Sequence, residues 1–196
     1  MSRRLSLCKR RPPVILAVVL LCAFSSGLSA AQLKWLVGDK SVKYQSYRDA
    51  AGRFELEYPE KDWKRLPSVG QSLVGFARND GPTLFVDHVT LLADFTQAEL
   101  AGLPALELNT LKDQQPKATG FKSEDLESRA GHGVLIRYSR EGTGPETAIQ
   151  FSVSVGKELF RITGVIPDKQ VQKYEPIVMH MIQSFKAPAG ATASKN

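Results

Sequence analysis

The residues of this chain that could do chemistry are three histidines, His88, His132 and His180, and the serines and carboxylates around them. Beyond residue 31, Asp87-His88 is the only place where a histidine neighbours a carboxylate, so it is where a hydrolytic metal would be sought. In a strand, adjacent side chains point to opposite faces, and these two could not grip one ion without a bulge. The pair therefore reads as a polar pair at a sheet edge, with a metal-dependent hydrolase using His88 as the rival reading. A serine hydrolase needs its nucleophile on a sharp turn, as in Gly-x-Ser-x-Gly, and the chain has no such sequence. Ser152 and Ser154 belong to an alternating strand instead. Gly131-His132-Gly133 lacks the third glycine and the following helix of a dinucleotide loop, so His132 reads as a turn residue. His180 lies two positions from the apolar Val178 and is expected to face outward. No catalytic, cofactor-binding or metal-ligating residue is assigned, and no cofactor is expected.

The one arrangement with binding potential is a polar sheet face. Ile149, Phe151, Val153 and Val155 alternate with Ala148, Gln150, Ser152 and Ser154, the period of a strand with two unlike faces. Gly156-Lys157 then closes a two-residue hairpin of type II′, because glycine accepts the positive φ at the first turn position. This register sets Phe151 opposite Ile162 and Val153 opposite Phe160 on the apolar side, with Ser152 opposite Arg161 and Gln150 opposite Thr163 on the other. Arg137 is placed alongside. Gln150, Ser152, Arg161, Thr163 and Arg137 thus form the candidate surface for a partner or an anion. If a helix covers that face, Arg161 needs an acidic partner, since an unpaired buried charge is costly.

The elements that must position this face follow from periodicity. Phe54, Leu56 and Tyr58 form a strand stopped by Pro59, with Trp63 packing back as a core anchor. Leu73 to Ala77 and Leu84 to Leu92 read as antiparallel strands across the Asn79-Asp80-Gly81 turn. Thr96 and Glu99 form a capping box for a helix to about Gln114, interrupted at Gly102 to Pro104. Lys117 to Ser128 is an irregular strand, Ala130 to Gly133 a turn, and Val134 to Tyr138 a strand with Leu135 and Arg137 on one face. Val171, Tyr174, Val178, Met181 and Phe185 make one helical stripe that should lie on the hairpin's apolar face. Residues 168 to 174 read as a short turn, with Pro176 in the first turn of the main helix. The order implies an α+β fold in which helices flank a mostly antiparallel sheet.

The N-terminus runs from Arg3, Arg4, Lys9, Arg10 and Arg11 through the apolar stretch Val14 to Phe24 to Ser29-Ala30-Ala31, the order of a signal peptide. That stretch is shorter than the roughly 20 residues of a membrane span. The expected division is a signal peptide over 1–31, a linker over 32–46, one domain over 47–186 and a disordered tail over 187–196. The leader takes five of the 26 Lys and Arg and none of the 20 Asp and Glu, so the remainder carries a net charge of about +1. No clustered basic face marks a nucleic-acid binder. Both cysteines, Cys8 and Cys22, also lie in the leader, so the remainder has no disulfide and no thiolate nucleophile.

Gly52-Arg53-Phe54-Glu55-Leu56-Glu57-Tyr58-Pro59, the following Trp63, Leu135-Ile136-Arg137-Tyr138-Ser139 and the final helix from Tyr174-Glu175-Pro176 to Gln183-Ser184-Phe185 together resemble the PsbP-like family. The resemblance implies an α/β/α sandwich in exported proteins that bind or scaffold, among them the photosystem II extrinsic protein and the DcrB-type envelope proteins. No residue set for manganese-cluster or calcium function can be matched. The expected function is that of a non-catalytic exported module, periplasmic or extracellular, binding a protein partner at or near a membrane. A carrier of a small or lipidic ligand is the further alternative.

Overall fold

In the computed structural model, the protein is described over residues 41–188 apart from 69 and 71. The expected signal peptide, the first part of the linker and the tail beyond 188 lie outside the described residues. The elements in chain order are β1 (Tyr44–Arg48), β2 (Glu55–Pro59), β3 (Trp63–Leu66), β4 (Ser72–Arg78), β5 (Thr83–Thr90), α1 (Gln97–Gln114), β6 (Thr119–Ser128), β7 (Gly131–Glu141), β8 (Pro145–Val155), β9 (Glu158–Pro167) and α2 (Val171–Ser184). A 3-10 turn, Asp168–Gln170, leads into α2.

Seven strands form one sheet in the order β3-β4-β5-β9-β8-β7-β6, and every pairing in it is antiparallel. The β8–β9 register is the one its turn dictates: Phe151 faces Ile162, Ser152 faces Arg161 and Gln150 faces Thr163. Gly156 takes φ 59°, while the only non-glycine with positive φ among the described residues is Asp62, as a type II′ turn requires. One sheet face carries Phe151, Val153, Phe160 and Ile162, which join Val178 and Met181 of α2 and the adjoining Phe185 in a single buried cluster. The opposite face carries Val134, Ile136, Tyr138, Ala148, Leu159 and Val165, which pack with Leu103 and Leu111 of α1. The protein is an α+β, α/β/α sandwich around an antiparallel sheet.

The β1–β2 hairpin is a separate two-stranded sheet that closes the α2 side. Phe54 stacks on Phe185 at 5.4 Å between ring centroids, and Glu55 bridges Lys186 through both backbone bonds. β1 starts at Tyr44, inside the stretch read as a linker.

Three local expectations are corrected. α1 runs unbroken through Gly102 and Pro104. The Thr96–Glu99 capping box fixes its start, and only the Leu100 carbonyl loses its i+4 donor to the proline. α2 begins at Val171, which makes Pro176 its sixth residue rather than part of its first turn. The carbonyl deprived of a donor there belongs to Gln172, on the exposed side of the helix. Finally, β7 begins at Gly131, so the reversal occupies Arg129 and Ala130, and His132 sits in the strand opposite Glu127.

Candidate functional site

The polar face of the hairpin lies beneath α1. Three residues of α1 are buried, Leu103, Glu107 and Leu111, spaced by one helical turn each so that they form a narrow stripe toward the sheet. The outer two are apolar, and the middle one is a fully buried carboxylate. Arg161 meets it as a fork, with Nε donating to Oε2 at 2.8 Å and Nη2 to Oε1 at 2.7 Å. Ser152 Oγ donates to Oε2 at 2.7 Å, and Gln150 Nε2 donates to the same oxygen at 3.2 Å. Thr163 Oγ1 completes the chain by donating to Gln150 Oε1 at 3.3 Å. Every polar group of the seam thus has a partner, which is the condition for burying a charge without a large loss. The bond from Glu107 holds the Arg161 pKa above its ordinary value, against the opposing effect of burial.

Four of the five residues of the expected surface therefore converge, but they do so as the internal anchor of a helix. Gln150 and Ser152 are buried, and Arg161 has the acidic partner that coverage demands. Arg137 does not join them. It pairs with Ile149 across β7–β8, which places it on the α2 face, where its guanidinium bonds Glu175, lies 3.6 Å from Glu124 and donates to Met179 Sδ at 3.8 Å. The error is one residue of register, because a single step along a strand moves a side chain to the other face. Burial pulls the Arg137 pKa down, and Glu124 acts against it.

The histidines are also engaged by carboxylates, His88 and His180 within the fold and His132 at the surface. His88 points to the α2 side, where it bonds Glu158 and tilts against Phe160 at 5.4 Å. Asp87 is opposite Arg161 in the ladder and accepts from Ser72 Oγ at 2.5 Å, so the two neighbours do face apart. His180 was expected at the surface, but it stacks on Tyr44 at 3.8 Å and bonds Glu57 Oε2 at 2.9 Å, tying α2 to β2. His132 is flanked by Glu127 at 2.8 Å and Asp125 at 3.7 Å. No group of three or more His, Cys, Asp or Glu suited to a metal occurs among the described residues.

Because α1 touches the sheet along one stripe, it leaves a cleft on each side. Toward its C-terminal end, a cleft of about 330 Å³ is floored by Phe85, Tyr138, Gln150, Thr163 and Val165 and walled by Gln114 and Gln115. Toward its N-terminal end, a cleft of about 440 Å³ lies between the first turns of α1 and the ends of β6, β7 and β8. Glu107 is the residue that sequence reasoning missed. Its signal was available, since a glutamate four residues from each of two core leucines occupies a core position of the helix.

No family model and no curated protein sequence matches the chain significantly. Solved structures do match. Cyanobacterial PsbP (CyanoP) from Synechocystis sp. PCC 6803 aligns over 75% of this chain and 94% of its own, with a TM-score of 0.57 and 14% identity. The Ran-binding protein Mog1p of Saccharomyces cerevisiae aligns over 74% of this chain and 96% of its own, with a TM-score of 0.51 and 9% identity. A Bacteroides thetaiotaomicron protein aligns over 74% of this chain, which spans 49% of that protein, with a TM-score of 0.51 and 13% identity. The architecture around the polar seam is the PsbP-like fold.

Proposed function

We propose that the protein is an exported, non-catalytic accessory module that binds a protein partner at or near a membrane through the α1 face of its sheet. One observation carries this reading: His88, His180 and the Glu107–Arg161 seam are paired within the fold, while the clefts beside α1 stand open. The Ran-binding neighbour is a precedent for the fold in recognition, and the leader-like N-terminus supports export. No helix among the described residues is long and apolar enough to cross a membrane.

Photo-crosslinking in the native cell tests the binding role. A crosslinking residue at Gln97 or Gln114, beside the two clefts, should give one discrete saturable adduct, and none should form from Gln172 on α2. Fusion of residues 1–40 to a phosphatase active only outside the cytoplasm should yield an active reporter. A silent reporter, or crosslinking equal at all three positions, would overturn the proposal.

A further inference from the structure

We infer that the cleft at the N-terminal end of α1 takes an arginine or lysine side chain of a protein partner, flanked by apolar residues. This rests on the binding-module reading and names the chemistry of the partner.

The cleft is floored by the ends of the strands, with Gly133 and Ser154 in its lining. The roof is apolar, with Leu100, Ala101, Leu103 and Pro104. Its volume of about 440 Å³ lies in the range of roughly 300–1,000 Å³ usual for ligand sites.

The cleft offers acceptors suited to a cation. Asp125 contributes a carboxylate that is 70% exposed and whose ion-pair contact is His132 at 3.7 Å. Ser154 adds a hydroxyl, and the Leu100 carbonyl at the roof lacks an i+4 donor because Pro104 has no N–H. No lysine or arginine lines the cleft, and Glu127 stands behind His132. Asp125 and Glu127 are the acidic side chains at this cleft, and a long aliphatic stem ending in a cation matches both the apolar roof and the carboxylate beneath it.

The surroundings favour an apolar flank. Leu92, in the loop before α1, is fully exposed, and Leu106 on the outer side of α1 is 51% exposed. Between Glu99 and Glu107 the helix carries no charge, which is unusual on a solvated surface. A partner segment that inserts its cation can lay neighbouring apolar side chains on this strip, and one desolvated anchor within such a rim is the usual source of interface affinity.

Three peptides, Ac-Leu-Leu-Arg-Leu-Leu-NH2 and its citrulline and glutamate counterparts, titrated into the protein with its leader removed, test the inference by amide chemical shifts. The arginine peptide should shift resonances of residues 97–104, 125 and 132–134. The citrulline peptide should bind at least fivefold more weakly, and the glutamate peptide should not bind. Asp125→Asn should weaken the arginine peptide about fivefold to tenfold, and Ala101→Trp, which fills the cleft from the exposed helix side, should abolish its shifts. Unchanged melting temperatures would show that both variants fold. Equal binding of arginine and citrulline peptides would overturn the inference in favour of a neutral apolar ligand. Shifts elsewhere, or none, would overturn the assignment of this cleft, while an adduct from Gln114 in the crosslinking experiment would leave the binding-module reading standing.

Discussion

The Glu107 carboxylate, wholly shielded from solvent, and the Arg161 guanidinium meet in a two-bond fork that fastens α1 to the sheet. Removing either partner strands the other in a low-dielectric seam. Glu107→Ala or Arg161→Ala should each destabilise the protein by about 3–5 kcal/mol in urea titration. Replacing both, as Glu107→Leu with Arg161→Met, should cost far less than the sum, because no charge is then left unpaired. Additive losses in the double variant would mean that the pair is not coupled.

Phe185 ends the helical stripe of α2 and lies between Phe54 and Phe160, at 5.4 and 5.2 Å between centroids. Phe185→Ala removes a fully buried ring from the junction of the hairpin, the sheet and the helix. The expected loss is about 3–5 kcal/mol. A loss below about 1 kcal/mol would show that the ring is not the anchor described here.

Gly164 faces α2 from β9, and a Cβ there would come within 2.3 Å of Val178 Cγ1. Gly164→Ala should destabilise by about 1–3 kcal/mol through overpacking. Adding Val178→Ala should recover part of the loss, so that the double variant is more stable than the two single effects predict. Double-mutant-cycle analysis of urea unfolding measures this.

Acid should loosen the β1–β2 hairpin. Asp49 accepts from Arg53 Nε at 2.7 Å and Nη2 at 2.9 Å, and this bond holds its pKa below the ordinary carboxylate value against the effect of burial. A depressed pKa contributes stability above the unfolded value of about 3.9 and loses it as pH falls through the folded value. Unfolding free energy measured from pH 7 downward should therefore drop below about pH 4. In Asp49→Asn, this part of the slope should be absent and the stability at pH 7 lower. An identical acid slope in the variant would remove Asp49 from the account.

The parts of the fold legible in sequence are those where two local signals agree. The β8–β9 register was fixed by a turn type and by alternation in both strands, and Thr96 with Glu99 marked the start of α1. What was not legible depended on neighbours distant in sequence. β3 spans only Trp63–Leu66, too few residues to show a period, and it exists because β4 supplies its bonds. Pro104 and Pro176 looked like boundaries because a proline removes a helix bond, yet packing on the sheet carries both helices through them. Four polar residues of the candidate surface were found together, but their coverage by α1 and the displacement of Arg137 to the opposite face needed the full register and the unseen Glu107.

The two helices divide the molecule unequally. α2 is locked by aromatic stacking, by Glu57 with His180 and by the bridge to Lys186, whereas α1 is held by Leu103, Leu108 and Leu111 and by Glu107 with its partners Arg161, Ser152 and Gln150. Nearly all outward positions of α1 are consequently free of structural duty. Mutation can rewrite them while the scaffold persists, so descendants of one such chain could acquire new recognition specificities without passing through an unfolded ancestor.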